Sequence, residues 1–510
     1  MPPSSPPIVA RSVAHDARTA VIDLGTGGPR EYTYRDLIAV SAGVADRLLA
    51  GRADLDGERV AFLVPPSFDH VAIQWGLWRA GGIAVPLPIQ HPTAELEYLL
   101  RDAEATLVVG NAGNAGRLGP VARDIGAQLL ISEELVSSGG PSTASARTGQ
   151  TALPTVAPER RAMIVYTSGT TGRPKGVVTT HANISAQITS LVDAWEWTSS
   201  DRTLLVLPLH HVHGIINVVS SALWAGGILE ILPRFDAEAT WHRLALGELT
   251  VFTAVPTIYH RLIQSWESAS PAVRRARSEG CRRLRLMMSG SAALPRHVLD
   301  RWKEITGHVL LERYGMTEVG MALSNPLRGE RRPGHVGQPL PGVSARLVDG
   351  ELQLKGPGVF SEYWRHPEST GESFTDGWFR TGDIAVLEDG SYRLLGRSSV
   401  DIIKSGGDKF SALEIEEMLR AHPAIGECAV VGVEDAEWGQ RVCAAVELRP
   451  GNELALSDLR EWAKTRMAPY KIPKDLKCVS HLPRNAMGKV VKPEVATFFV
   501  PPARPAPREP

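Results

Sequence analysis

Ala162-Met-Ile-Val-Tyr166-Thr-Ser-Gly-Thr-Thr-Gly-Arg-Pro-Lys175-Gly176 decides how the rest of this chain is read. The apolar run Ala162–Val165 reads as the buried end of a strand. Behind it, Thr167, Ser168, Thr170 and Thr171 gather with Gly169, Gly172 and Gly176 around Lys175. Glycines let the backbone come close and take positive φ, so several N–H groups can converge on one phosphate. The hydroxyls add donors and Lys175 adds positive charge. No Gly-Lys-Ser/Thr tripeptide closes the loop, so it is not a Walker loop; the bland alternative is a polar surface turn. Further on, Ile184, Ile188, Leu191, Val192 and Trp195 recur at helical spacing. This spacing predicts a strand–loop–helix unit, a natural anion site.

Working outward, strand-like runs alternate with helical patterns: Val60–Val64, Ile83–Leu87, Thr106–Val109, Leu204–Leu207, Val251–Val255 and Leu284–Met288. Such spacing predicts parallel strands with crossover helices. Gly342–Gly396 carries dense turn residues and alternating runs such as Glu351-Leu-Gln-Leu354, and reads as an antiparallel subdomain. Downstream the pattern runs helix (412–422), strand (427–433), strand (441–448) and helix (456–467). The expected class is α/β in a mixed α+β arrangement. A large N-terminal domain (1–397) has parallel-type sheets and the antiparallel subdomain. A small mobile C-terminal α+β domain (398–498) follows, then a disordered proline-rich tail (499–510). Residues 112–156 read as a variable connection with some structure.

The 510 residues exceed what one core supports, and a net charge of −1 offers no field for nucleic acid or an anionic membrane. No apolar run reaches the roughly 20 residues of a membrane span. The four cysteines have no paired spacing, which suits a reducing compartment, and the expected location is the cytoplasm. His210, His211 and His213 lack nearby cysteines or carboxylates at ligand spacing, so zinc is disfavoured. The arginines Arg274, Arg275, Arg277, Arg282, Arg283 and Arg285 could meet the phosphates of coenzyme A, but read better as a solvated face.

Further motifs follow the loop in order: Leu207-Pro-Leu-His210-His211-Val-His213-Gly214, Ser289-Gly290-Ser291-Ala292, Arg313-Tyr314-Gly315-Met316-Thr317-Glu318, Phe379-Arg-Thr381-Gly382-Asp383, Gly396-Arg397, Asp401-Ile-Ile-Lys404-Ser405-Gly406-Gly407 and Arg484-Asn485-Ala-Met-Gly488-Lys489. Singly, each has a structural reading: Tyr314 as core, Asp383 as a turn residue, Glu318 as a helix-start carboxylate, Lys489 as a solvated lysine. As an ordered set the chain resembles the adenylate-forming superfamily, which includes acyl-CoA synthetases, non-ribosomal adenylation domains and luciferases. The resemblance spans nearly the whole chain.

That resemblance implies ATP, Mg²⁺ and coenzyme A as cofactor and co-substrates, and a small carboxylic acid as the other partner. It implies that Thr167, Ser168, Gly169, Thr170, Thr171, Gly172 and Lys175 hold the β- and γ-phosphates. Tyr314 would stack on adenine, with Gly315 also in the ATP site; Thr317 would meet the α-phosphate, Glu318 the metal, Asp383 the ribose, Arg397 the ribose or phosphate, and Lys489 the carboxylate and α-phosphate. His210, His211, Ser289, Gly290, Ser291, Ala292 and Met316 would line the acyl pocket, and Lys404, Ser405, Gly406 and Gly407 would border the thiol tunnel. A pivot is expected near Ser398–Asp401. Asp408 departs from the pattern, because a carboxylate beside that tunnel would disfavour a thiolate or phosphates.

Arg261, in Val255-Pro-Thr-Ile-Tyr259-His-Arg261, is the sharpest clue to the acid. It follows a buried strand, and a buried arginine calls for an anion. With His-His-Val-His-Gly and Ser-Gly-Ser-Ala-Ala, it resembles the malonyl-CoA synthetase branch, implying that Arg261 meets the second carboxylate of malonate or methylmalonate. The alternative for Arg261 is a helix-exterior pair with an acid such as Glu267. Two other functions stay open: an adenylating enzyme of specialised metabolism that passes an aryl or other acid, or another oxyanion, to a non-CoA nucleophile, and a non-enzymatic ATP-binding homologue. Intact Lys489, Glu318 and Lys175 argue against the last.

Overall fold

The computed structural model describes residues 5–137, 152–167, 174–405, 408–435, 438–485 and 488–500. Two compact units are present, one of Met1–Ala345 with Leu354–Phe379, the other of Arg346–Gln353 with Arg380–Pro510. The class is mixed α/β, as the alternation of runs predicts.

The first unit holds two large sheets. One has nine strands, and its central six pair in parallel, in the order Leu311–Met316, Leu286–Ser289, Val251–Ala254, Arg202–Leu205, Ile228–Ile231 and Thr19–Asp23. The other has seven, with Arg161–Thr167, Ile83–Pro86, Arg59–Leu63, Leu107–Gly110 and Gln128–Ile131 in parallel order. The strands read as unbroken apolar runs because both faces are buried. Val60 and Phe62 enter the main core, while Ala61 and Leu63 enter a second cluster with Leu96, Leu99 and Leu118. The main core draws on both sheets and on the helices Tyr34–Leu49, Phe68–Arg79 and His181–Ala194. Trp195 and Trp197 are buried in it.

One local expectation is corrected. The phosphate-type loop joins Arg161–Thr167 to a second strand, Lys175–Thr180, which pairs with it antiparallel, Thr167 opposite Lys175. The element that follows is therefore a strand and not a helix. The physical reason is composition: Val177, Val178, Thr179 and Thr180 are β-branched and prefer the pleated, buried environment. The helix begins only at His181, where Thr180 caps it and Asn183 completes the capping box.

In the second unit, Ile425–Asp435 and Gly439–Leu448 form a long antiparallel pair, with Glu427 opposite Glu447 and Asp435 opposite Gly439. Asp475–Cys478 adds in parallel. The helix Ala412–Arg420 packs through Ala412, Ile415 and Leu419 onto a core with Val430, Val442 and Val446. Within this apolar setting lies an ion triad: the Lys492 ammonium is 2.5 Å from Asp401 Oδ1 and 2.7 Å from Glu416 Oε1. Two opposing charges let a lysine stay ionised out of water.

The crossing of Tyr34–Leu49 over Phe68–Arg79 depends on Gly76. A Cβ there would lie 2.5 Å from Val44 Cγ1 and 2.7 Å from Val44 Cβ. Alanine normally improves a helix by about 1 kcal/mol over glycine. Here overpacking wins, and Gly76→Ala is expected to lower the unfolding free energy by about 1–3 kcal/mol, read by denaturant titration.

Candidate active site

In the first unit, Ser289, Gly290, Ser291 and Ala292 lie at and just beyond the end of the strand Leu286–Ser289. Ser289 is buried. Ser291 takes φ +68°, the left-handed region that costs a non-glycine residue about 1–3 kcal/mol. Its hydroxyl is held 3.1 Å from His213 Nδ1, and His213 Nε2 lies 2.9 Å from Thr253 Oγ1. His213 is buried, which drives its pKa well below the ordinary value, with Arg313 as the next cause. It is a neutral imidazole strung between two hydroxyls, and nothing in the sequence reading gave it that task. Ala292 is exposed, and Met316 half-buried.

Gly290 has a different reason to be glycine. A Cβ would lie 2.3 Å from Nη1 of Arg313. That guanidinium is 3% exposed, and Nε, Nη1 and Nη2 have no hydrogen-bond partner among the described residues. Burial pulls its pKa down to about 9. In the sequence Arg313 stands out only as the residue before Tyr314. The overlooked signal is a charge inside the strand Leu311–Met316, which neighbouring strands flank on both sides.

The rings of His210 and His211 are tilted by 50° with centroids 4.2 Å apart. Burial first, and the neighbouring histidines second, hold His210 at about 2 and His211 at about 4. Arg261 lies on the helix Pro256–Ser268, its side chain exposed, while Tyr259 on the same helix is fully buried and donates to Met288 O at 2.7 Å. Arg261 has no partner among the described residues. The alternative pairing with Glu267 is not made, because Glu267 accepts from Arg301. Of the arginine cluster, Arg285 makes a two-nitrogen contact with Asp201, and the buried Arg277 pairs with Glu238. These two are structural ion pairs, which corrects the solvated-face reading for them.

On the phosphate side, Ser168, Gly169, Thr170, Thr171 and Gly172 lie outside the described residues. Lys175 Nζ is 2.9 Å from Ser369 Oγ and 5.3 Å from the centroid of the Tyr363 ring. Tyr363 donates its phenol to Glu318 Oε1 at 2.9 Å. Glu318 is 6% exposed, and its carbonyl accepts from Phe360 N at 2.7 Å. A fixed carboxylate of this kind suits Mg²⁺, which takes only one or two from a protein. Tyr314 is mostly buried, with Gly315 and the half-buried Thr317 just beyond it.

In the second unit, Asp383 and Arg397 face each other across the Trp378–Glu388 and Ser391–Arg397 strands, with Nε 3.1 Å from Oδ1. Lys404 is exposed and Ser405 buried on Ile402–Ser405; Gly406 and Gly407 lie outside the described residues. Lys489 is exposed in a turn in which its carbonyl accepts from Asn485 N at 2.9 Å and Asn485 Oδ1 accepts from Lys489 N at 3.0 Å.

The buried histidines set an acid limit. An unfolded chain takes up protons near 6.5, whereas folded His211 resists to about 4. The depressed group therefore contributes stability above pH 6.5 that is lost as pH falls toward 4. His211→Asn is expected to flatten the fall of unfolding free energy between about pH 6 and 4.5 by roughly 1.4 kcal/mol per pH unit. Equal slopes would show that His211 is not buried in the neutral form.

Comparison with known proteins identifies the family. Residues 9–364 match the model of the AMP-binding enzyme family, and residues 414–489 that of the AMP-binding enzyme C-terminal domain. The chain is 44% identical to "Malonate--CoA ligase ACSF3, mitochondrial" of Mus musculus, over 98% of this chain and 91% of that protein. It is 44% identical to the malonate–CoA ligase of Arabidopsis thaliana, over 87% of this chain and 78% of that protein. The crystal structure of ATP-bound MatB from Rhodopseudomonas palustris superposes with a TM-score of 0.86 at 34% identity, over 97% of this chain and 99% of that one. The chain therefore belongs to the AMP-binding enzyme family, as an ATP-dependent, AMP-forming acid–CoA ligase.

Proposed function

We propose that the acid activated by this chain is malonate or its α-methyl homologue. The observation that carries the reading is the guanidinium of Arg313, shut away from water with three unpartnered nitrogens. Removing one member of a buried ion pair costs about 3–5 kcal/mol because the other charge is left uncompensated. A dicarboxylic acid supplies the missing anion, in the bidentate geometry that guanidinium prefers; a fatty or simple aryl acid supplies none. Arg261, exposed and unpaired, is the second arginine available to the distal carboxylate. Two similar proteins carry malonate in their names.

In the first half-reaction a carboxylate oxygen bonds the α-phosphorus of ATP and the bond to pyrophosphate breaks. In the second, a thiolate bonds the acyl carbon and AMP leaves. Lys489 supplies positive charge where the carboxylate meets the α-phosphate, and Lys175 does so at the outer phosphates. Thr317 contacts the α-phosphate, Tyr314 stacks on adenine, and Asp383 and Arg397 take the ribose. Glu318 holds Mg²⁺, which neutralises phosphate charge when bound. Lys404–Gly407 borders the thiol, and a pivot at Ser398–Asp401 lets the 398–498 domain serve the two steps in turn. Four free thiols, Cys281, Cys428, Cys443 and Cys478, support a reducing compartment, and we assign the cytoplasm.

Pyrophosphate release with a panel of acids, with and without coenzyme A, tests the substrate. Malonate is expected to exceed acetate and benzoate, and a thioester to form only with coenzyme A. Arg313→Gln is expected to lower kcat/KM for malonate by roughly a hundredfold and to spare monocarboxylates. Preference for an aryl acid, or thioester formation unaffected by the change, overturns the reading. Lys489→Ala is expected to reduce acid-dependent ATP–pyrophosphate exchange by about 10²–10³-fold while sparing thioester formation from supplied acyl-adenylate. Exchange at the unmodified rate would remove Lys489 from the first step.

A further inference from the structure

Both flanks of Lys489 carry a cation that the roles above leave unused. Arg484 stands five residues before it and Lys492 three residues after. Around Lys489 the backbone doubles back. Arg484 bridges antiparallel to Val490, Val491 N donates to Pro483 O at 2.9 Å, and Asn485 N donates to Lys489 O at 2.9 Å. Arg484 Nη1 also donates, at 2.8 Å, to Gly488 O, the carbonyl bonded to the nitrogen of Lys489.

The two cations belong to one chain of alternating charge within the second unit. Arg484 Nη2 is 3.5 Å from Glu427 Oε2, and Glu427 Oε1 accepts from Arg420 Nε at 2.9 Å. Arg420 Nη2 is 3.6 Å from Glu416 Oε2, and Glu416 Oε1 is 2.7 Å from Lys492 Nζ. Lys492 in turn meets Asp401 Oδ1 at 2.5 Å, and Asp401 Oδ2 accepts from Arg397 N at 3.0 Å. The middle of the chain is dry, with Glu416 and Lys492 both buried. Burial alone would lower the Lys492 pKa, but the charges of Glu416 and Asp401 outweigh it and raise it, so the ammonium is kept.

We propose that Arg484 and Lys492 are positioning residues for Lys489, which fasten its two flanks to the helix Ala412–Arg420 and, through Asp401, to the pivot segment. An exposed lysine has a long, freely rotating stem and cannot anchor itself; only its backbone can be fixed in advance. Fixing it there removes disorder from the step in which the ammonium must meet the carboxylate and the α-phosphate, where a misplacement of about 1 Å can cost up to a hundredfold in rate. An exposed ion pair would hold such a turn weakly. In this buried chain, loss of an interior cation leaves two carboxylates facing each other, so the chain resists opening at any one link.

The inference rests on the assignment of Lys489 to the first half-reaction and of the pivot to Ser398–Asp401, and it makes no use of which acid is activated. The test compares the full chain with Lys492→Met, Lys492→Arg and Arg484→Leu. Amide hydrogen exchange without substrates reads the hold itself. In Lys492→Met and Arg484→Leu, residues 484–491 are expected to exchange about tenfold faster, while the strands Ile425–Asp435 and Gly439–Leu448 stay within about twofold. In the same variants the kcat of ATP–pyrophosphate exchange with malonate is expected to fall about tenfold, with the KM for ATP and thioester formation from supplied acyl-adenylate within about twofold. Lys492→Arg keeps the charge and is expected to bring both readouts back to within about threefold of the unmodified chain. Melting temperatures identify any variant that fails to fold, and Arg484→Leu, at the more exposed end of the chain, carries the test if Lys492→Met does. Unchanged hydrogen exchange over 484–491 in folded variants, or equal loss in both half-reactions, overturns the proposal. Exchange at the unmodified rate in Lys489→Ala would overturn the assignment of Lys489 and this inference with it. No exchange with malonate in the unmodified chain would overturn the substrate reading instead, and the hydrogen-exchange result then decides this inference.

Discussion

A guanidinium buried without a partner among the described residues is the constraint on which the acyl end of the first unit depends. Arg313 holds its place at the cost of desolvation, and its surroundings are arranged so as not to raise that cost further. Gly290 has no side chain, because any Cβ would occupy the space of Nη1. His213 stays neutral, first because burial disfavours its charge and second because Arg313 would repel a cation beside it. Tyr259, fully buried, spends its hydroxyl on the Met288 carbonyl instead of on the arginine. The outcome is a buried positive charge with no hydrogen-bond partner among the described residues, a state that makes energetic sense if an anion arrives from outside.

The phosphate side follows a different rule. There the charges of both signs are present before the ligand. The Lys175 ammonium rests on Ser369 Oγ and over the Tyr363 ring, and the Tyr363 hydroxyl donates to Glu318. Thus the acyl end presents the buried Arg313 with no counterpart among the described residues, whereas the phosphate end presents groups of both signs. Both arrangements leave net attraction for an anionic ligand or its metal.

The second unit handles charge more conventionally. Asp383 and Arg397 pair across adjacent strands, and Arg397 N also donates to Asp401 Oδ2 at 3.0 Å. Asp401 in turn meets Lys492, three residues beyond Lys489. A continuous run of polar contacts therefore links the segment around Ser398–Asp401 with the segment that carries the exposed lysine. Lys489 is exposed, but the turn around it is anchored through Asn485 and, nearby, a buried ion triad.

The sequence alone was enough for the fold class, the strand runs and the order of the motifs. Burial on both strand faces and β-branched or helical periodicity are local properties, written in consecutive residues. The family was legible because its motifs are short and rigid in spacing. The loop after Tyr166 was misread as facing a helix: the helical period from Ile184 onward is real, but the intervening Val177–Thr180 pairs back as a strand, and pairing is not local. Arg313, His213 and Tyr363 escaped for the same reason. Arg313 differs from any other strand arginine only in what packs around it. His213 acquires its role from Thr253 and Ser291, 40 and 78 residues away, and Tyr363 stands 45 residues from the carboxylate it holds. Residue type and spacing determined which chemistry this chain can carry; which charges are spent and which are left for a ligand was decided only by tertiary packing, because burial and distance set the energy of a charge and neither is encoded at a single position.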